Sequence, residues 1–349
     1  MKYLANFLKR KKVVVMVAYG GVGEFLFQLD LAKRFESNQI QVLFLIKAKY
    51  TFFCDIAQQT NLTQTRLVDA TLHRYYLLFP YIWALSFIGN ITCVNSFNSL
   101  FYRWPTKLLY LIASLFGAQV IISRHKYERS LPYEQVPYAD KEMIWQRNIR
   151  IVNYVTKNSP KNSTEAIFPC LEFKQHVSNQ NDYIHIHPVG SSLKKSIPIK
   201  KLLDILNYLV EKNKIVISMT PNEERWYMTS ELQDFIIKNN DKIECINRYF
   251  TAKEISSLIQ NARLFFTVNT GLLWLGIMLK KKVLVFDTFT DYEWNPSPYA
   301  GVIRLSHDYN EKGESLHLVV CGHEDGVYFE SMYAITFSEV KEAFKKILV

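Results

Sequence analysis

The sequence predicts an α/β protein of two similar-sized domains, each a parallel sheet flanked by helices, and three observations carry that prediction. Continuous apolar runs alternate with helical patterns along most of the chain, which is the signature of parallel sheets. A polar stretch from Lys157 to Thr164, extending to Asp182, interrupts the alternation, and the pattern restarts at Tyr183. The chain has 349 residues, 49% hydrophobic and 21% charged, enough for two cores at roughly 100 to 200 residues per domain and far from disordered or fibrous compositions. The expected domains are residues 1–165 and 180–335, followed by a C-terminal helix at 336–349.

The elements follow in order. Val13 to Ala18 is a β-branched run suited to a strand buried on both faces. It ends in Tyr19-Gly20-Gly21-Val22-Gly23, after which an amphipathic helix is expected from about Glu24 to Phe35. Ile40 to Ile46, Asn90 to Val94 and Ala118 to Ser123 read as further strands, the last entered from a helix stopping at Gly117. Beyond the linker, Tyr183 to His187 is a strand and Gly190 to Ser192 a loop, and Pro198 opens a helix running to about Lys212. Ile215 to Met219 is a strand, Pro221 opens another helix, and Thr251 caps a helix to Asn261 with Glu254 three residues on. Leu264 to Val268 and Val283 to Phe286 are strands around a helix at Gly271 to Lys280.

The net charge of +10 is uneven: residues 1–140 carry 16 Lys and Arg against 8 Asp and Glu (+8), and residues 141–349 carry 26 against 24 (+2). A basic N-terminal half attracts nucleic acid, an anionic membrane surface or an anionic substrate, or reflects a generally basic cytosol. The basic residues are dispersed without a nucleic-acid-binding motif, so no nucleic-acid partner is expected. The short apolar stretch Tyr3 to Leu8 precedes Lys9 to Lys12, the reverse of a secretory signal, which predicts a cytoplasmic location. Tyr75 to Ile88 is apolar but shorter than the ~20 residues that span a bilayer and contains Pro80; it reads as a buried helix or a membrane-surface segment. Five cysteines lie far apart with no CxxC pair, against disulfides and structural zinc.

The glycine turn at 20–23 is not a dinucleotide fingerprint: the third glycine of a pattern starting at Gly21 falls at Leu26, and the strand ending at Ile46-Lys47 lacks the acidic residue that holds a ribose. The P-loop pattern is absent as well. Glu24 stands at a helix start beyond the carboxyl end of the first strand, where open α/β sheets place ligands. It is either a general base or a first-turn carboxylate satisfying helix amides. In the second half, Gly190-Ser191-Ser192 with Lys194 and Lys195 gathers amides, hydroxyls and ammonium groups, while Thr270-Gly271 opens a helix after a buried strand. Each is an ordinary connection taken alone; together they suit a diphosphate. His185 with His187, and His317 with His323 around Cys321, fit hydrogen-bonding or core roles better than a metal site, so no metal is expected.

These residues, in this order, resemble glycosyltransferase family 9, the ADP-heptose:lipopolysaccharide heptosyltransferase type. Gly23-Glu24 is similar to the family's Gly-Asp motif, and His187-Pro188-Val189-Gly190-Ser191-Ser192 with Lys195-Ser196-Ile197-Pro198 to its His-x-Gly stretch and Lys-x-Trp-Pro. Thr220-Pro221-Asn222-Glu223 resembles its Gly-Pro-x-Glu turn, Val268-Asn269-Thr270-Gly271-Leu272-Leu273-Trp274 its Asp-Thr-Gly-x-x-His block, and Ile335 to Val340 its final helix entry. Residues 50–180 carry none of it.

The resemblance implies a GT-B fold, two Rossmann-like domains facing each other across a cleft, with acceptor on the first and nucleotide-sugar on the second. It implies inverting, metal-independent transfer with no cofactor. Glu24 would be the general base and Lys195 would support the leaving group. Ser191, Ser192, Thr270 and Gly271 would hold the diphosphate, Glu223 the ribose, and Asn269 and Trp274 would lie near the donor sugar. A glycan or glycolipid acceptor, such as lipopolysaccharide core, at the inner face of the inner membrane is implied too, with peripheral membrane contact left open. Glu24 stands where the family has Asp, Asn269 where it has Asp and Trp274 where it has His, so the donor need not be ADP-heptose. A nucleotide-sugar-binding pseudoenzyme and a nucleotide-sugar epimerase or hydrolase are the alternatives.

Overall fold

A computed structural model describes residues 12–18, 21–46, 51–69, 91–95, 119–123, 134–136, 143–157, 172–173, 182–287, 302–305 and 335–348. The segment expected to be helical or membrane-surface at Tyr75 to Ile88, most of the linker, the helix expected before Gly117 and the His317–Cys321–His323 group lie outside them. The chain divides into two compact units, residues 1–174 and 175–349.

The first unit is a six-stranded parallel sheet in the order β3-β2-β1-β4-β5-β6. Its strands are β1 (Val13–Val17), β2 (Gln41–Ile46), β3 (Thr65–Asp69), β4 (Ile91–Asn95), β5 (Gln119–Ser123) and β6 (Glu134–Val136). All five residues of β1 are buried, as its unbroken apolar run requires of a central strand. Helix α1 (Val22–Ser37) follows β1, then α2 (Thr51–Gln58), and later α3 (Ile144–Thr156).

Sequence periodicity makes α1 amphipathic, but the fold buries it nearly all round, including Gln28, Asp30 and Glu36. The reason is that α3 packs against it, and several of its polar groups find partners. Asn148 Nδ2 donates to Phe27 O at 2.9 Å, Arg34 Nε donates to Asp30 Oδ2 at 2.7 Å, and the Glu36 carboxylate accepts the amides of Thr63 (3.1 Å) and Gln64 (2.7 Å).

The second unit repeats the architecture in the order β12-β11-β10-β7-β8-β9, again parallel throughout. Its strands are β7 (Tyr183–His187), β8 (Lys214–Met219), β9 (Ile243–Asn247), β10 (Leu264–Val268), β11 (Val283–Phe286) and β12 (Val302–Leu305). The helices are α4 (Ile199–Val210), α5 (Pro221–Tyr227), α6 (Ser230–Lys238), α7 (Ala252–Asn261), α8 (Gly271–Met278) and α9 (Phe337–Leu348). The core joins Ile184, Ile186, Ile217, Phe266 and Phe286 of the sheet to Leu202 and Leu206 of α4 and Phe344 of α9. Where one helix was expected after Pro221 there are two, broken at Met228–Thr229, and Thr229 caps the second by accepting the Leu232 amide.

In both units the chain runs outward to one edge through three strands, then returns to start again beside the first. The switch falls between β1 and β4 in the first unit and between β7 and β10 in the second. Loops leaving the carboxyl ends of such strand pairs diverge and open a crevice where ligands sit.

Candidate functional site

In the second unit three loops leave the same end of three adjacent strands. Register pairs Thr267 of β10 with His187 of β7, and Ile186 of β7 with Ile217 of β8. The loops beginning at Pro188, Thr220 and Asn269 therefore emerge side by side, at the ~4.8 Å spacing of neighbouring strands.

The first loop is rigid because its backbone folds onto itself. A Cβ on Gly190 would sit 2.1 Å from Lys195 O, closer than any contact allows, so only glycine fits. Gly190 N donates to Ser196 Oγ (2.9 Å), which donates to Ser192 O (2.8 Å). Ile197 N returns to Pro188 O (2.9 Å), and the buried Tyr227 hydroxyl of α5 donates to Ile197 O (2.5 Å). This clasp presents Ser191, Ser192 and Lys195, all exposed, on a turn of 3-10 helix at Leu193–Lys195.

The second loop starts α5. Thr220 Oγ1 accepts the Glu223 amide and Glu223 Oε2 accepts the Thr220 amide at 2.6 Å, a reciprocal cap that fixes the carboxylate. Glu223 Oε1 lies 4.0 Å from His187 Nε2. The third loop starts α8 with Thr270 at the N-cap, yet its hydroxyl does not bond the helix amides. Thr270 Oγ1 and Asn269 Nδ2 are both buried without a hydrogen-bond partner. Polar atoms in that state cost about 1 to 3 kcal/mol each, and a phosphate or sugar hydroxyl drawn to them recovers that.

Beneath the loops lies a pair of buried histidines. His185 Nε2 is 2.8 Å from Ser218 Oγ, and its ring packs against Phe265. His187 Nδ1 is 2.9 Å from Ser218 O, and Thr267 Oγ1 donates to His187 O at 3.1 Å. Burial, then the neighbouring His187, pushes the His185 pKa from 6.5 to about 3. Burial also lowers that of His187, against the pull of Glu223. Sequence alone allowed the hydrogen-bonding role for this pair, and the structure realises it; among the described residues no metal-binding cluster of His, Cys, Asp or Glu occurs.

A consequence is testable by denaturation. The unfolded chain takes up the His185 proton near pH 6.5, the folded chain only near pH 3, so stability should be full above 6.5 and fall as the pH is lowered towards 3. His185→Gln stays neutral throughout, so its urea midpoint should decline less over that window. Equal slopes for the two proteins would contradict the assignment.

Two expected site residues have surroundings that bear on their roles. Trp274 is only 2% exposed: α8 is apolar on every side, and the indole is part of the core rather than a face offered to a donor sugar. Glu24 Oε2 accepts the Gly21 amide at 2.5 Å at the start of its own helix. That bond fixes the direction of the carboxylate. Glu24 belongs to the first unit, at the β1 side of its switch point; the residues of the three loops belong to the second. Sequence reasoning did not find the Ser196–Gly190 clasp inside the first loop or the facing of His187 and Glu223, which stand at the ends of neighbouring strands.

No protein-family model matches the sequence, and no curated protein matches it. Solved structures do. The chain is similar to ADP-heptose lipopolysaccharide heptosyltransferase II of E. coli, with a TM-score of 0.67 and 11% identity over 97% of this chain and 98% of that one. It is similar to E. coli heptosyltransferase WaaC, solved with ADP-2-deoxy-2-fluoro heptose (TM-score 0.62, 11% identity, 96% and 99% covered). It is also similar to a glycosyl transferase family 9 protein of Veillonella parvula (TM-score 0.68, 12% identity, 97% of each chain covered). At these identities the likeness is one of fold: the chain has the GT-B, heptosyltransferase-like α/β architecture.

Proposed function

On that fold, we propose that the protein is a glycosyltransferase that moves a sugar, a heptose or another, from a nucleotide-diphosphate donor to a glycan acceptor. The observation that carries this is the second unit's strand edge, where the Ser191–Lys195 loop, the Glu223 cap and the buried, unpartnered Asn269 and Thr270 leave adjacent strands. Amides, hydroxyls and an ammonium group converging at a helix start are what a diphosphate needs. The solved WaaC neighbour was crystallised with an ADP-linked heptose analogue, which supports a donor of that class.

The transfer is a single displacement with inversion. The acceptor oxygen forms a bond to the anomeric carbon as its proton passes to Glu24, and the bond from that carbon to the phosphate oxygen breaks. Its electron pair leaves on the diphosphate, where Lys195, the Ser191 and Ser192 hydroxyls and the α8 amides at Gly271 take up the charge. Fixed donors of this kind do the work a divalent cation would otherwise do. The basic first half suits an anionic acceptor, such as a phosphorylated lipopolysaccharide or lipooligosaccharide core at the inner face of the membrane. Among the described residues no helix is long and apolar enough to cross a membrane.

Isothermal titration with nucleoside diphosphates is the test. Binding should survive chelator, and Lys195→Ala should weaken it about tenfold or more, the scale of a lost charge-assisted hydrogen bond. Unchanged donor affinity and turnover in Lys195→Ala, or activity abolished by chelator, removes the site as drawn. Donor hydrolysis with no acceptor requirement would favour a hydrolase instead.

A further inference from the structure

The second half of the chain is close to neutral by sequence, but the fold does not spread its charge evenly. All strands of the second sheet are parallel, so the loops entering them share one edge, opposite the candidate loops. Residues 211–214, 239–242, 262–263 and 279–282 lead into β8, β9, β10 and β11, and Asp182 precedes β7. Together they hold seven Lys and Arg against three Asp and Glu, which leaves 19 against 21 for the rest of residues 141–349. The positive balance of this half therefore sits on that edge. Backbone bonds set its members side by side: Ile215 N donates to Lys242 O (2.8 Å), Arg263 N to Tyr183 O (2.8 Å) and Phe265 N to Lys282 O (3.0 Å). Lys212, Lys214, Lys242, Lys280 and Lys282 are exposed, whereas Arg263 faces Asp182 at 3.8 Å and Lys281 Nζ donates to Gln260 O. Neighbouring strands ~4.8 Å apart spread these lysines over about 19 Å. A helix dipole accounts for lysines in a last turn, but Lys214, Lys242 and Lys282 stand beyond the helices, at strand starts.

An open groove of about 1070 Å³ adjoins the edge, lined by Lys212, Lys214 and Lys242, by the carboxylates of Asp241 and Glu244, and by Ile246 and Leu258. The last two are only partly buried and pack on Tyr183 and Val216. Cations beside an apolar strip suit a phosphate headgroup and the upper part of its chains. A nucleic acid is held by exposed aromatic faces and forked arginines. This edge offers lysines, and its Tyr183 is buried with its hydroxyl donating to Leu258 O at 2.8 Å. We infer that the amino-end edge of the second sheet docks the protein on an anionic lipid bilayer. Membrane contact then belongs to the second unit rather than to the basic first half, and the candidate loops face away from the lipid. The inference stands independently of the nucleotide-sugar reading.

The experiment measures flotation of the full chain with vesicles of equal parts phosphatidylglycerol and phosphatidylcholine, and with vesicles of phosphatidylcholine alone. Binding to the mixed vesicles should be about tenfold tighter or more and should fade as salt is raised, because salt screens the attraction. The triple variant Lys212→Gln, Lys214→Gln, Lys242→Gln should bind them about tenfold more weakly or worse, since each lysine near an anionic surface is worth roughly fivefold. Its melting temperature should match wild type. The variant Lys9→Gln, Arg10→Gln, Lys11→Gln removes the same charge from the first half and should stay within about threefold of wild type. If the first triple folds poorly, Lys242→Gln with Lys282→Gln, on two different strands, should still lower binding about fivefold or more. Equal binding to both kinds of vesicle, wild-type binding by the folded second-unit variant, or a larger loss in the first-half variant overturns the inference. Duplex DNA held more tightly than the mixed vesicles at the same salt assigns the edge to nucleic acid and overturns it as well.

Discussion

Glu24→Gln is expected to lower the transfer rate by about 100-fold or more while leaving donor affinity in place, the scale at which a general base contributes. The substitution is well suited to the question because Gln retains a side-chain oxygen that can accept the Gly21 amide, the bond Glu24 makes in the structure. Proton acceptance and the negative charge are lost, so stability should fall by no more than ~0.3 to 1 kcal/mol in either role. If Glu24 were solely a helix cap, its change to Gln would cost ~0.3 to 1 kcal/mol through the helix dipole and leave turnover untouched. Glu24→Asp should keep part of the activity, since the carboxylate remains with a shorter reach. Transfer rate, donor binding and melting temperature measured on one Glu24→Gln preparation separate the two roles, and an unaltered rate takes Glu24 out of the mechanism.

Gly190→Ala should be the most damaging single change in the second unit. The added methyl would meet Lys195 O at 2.1 Å and Lys195 C at 2.7 Å, both backbone atoms, so no side-chain rotation relieves it. The loop must open, losing the Gly190–Ser196 and Ser196–Ser192 bonds and displacing Ser191, Ser192 and Lys195. Overpacking of this kind costs about 2 to 3 kcal/mol. At roughly 2 to 4 °C per kcal/mol for a unit of this size, the melting temperature should fall by about 5 to 10 °C. Nucleotide binding should be lost even where the fold survives, because the three side chains act from one short turn. Ser196→Ala, which removes the hydroxyl without adding bulk, should show a smaller version of both effects. A Gly190→Ala protein with normal melting and normal nucleotide affinity would show that the clasp is not part of the site.

What could be read from the sequence follows from burial. Strands β1, β2, β4, β5, β7, β8, β10 and β11 were each legible as apolar runs because they lie inside their sheets, and a strand covered on both faces needs little but apolar residues. The four strands missed, β3, β6, β9 and β12, are the four sheet edges. Their sequences, TRLVD, EQV, IECIN and VIRL, carry polar groups that an edge tolerates, so composition no longer marks them. The Thr251 cap with Glu254 was local in sequence and was realised as local hydrogen bonds. The candidate loops were legible for the same reason, as glycine, hydroxyl and lysine groups following buried strands.

What only the tertiary structure decided is how separate segments meet. Trp274 was indistinguishable from a ligand-facing residue until α8 was seen to be enclosed. The burial of α1 on its polar side depends on α3, more than 100 residues later. The facing of His187 and Glu223 depends on β7 lying beside β8, and the clasp on Gly190 depends on a backbone approach five residues away. A sequence states which groups are present and which of them are near along the chain. Strand order and register set which of them share an edge, because neighbouring parallel strands release their loops on the same side.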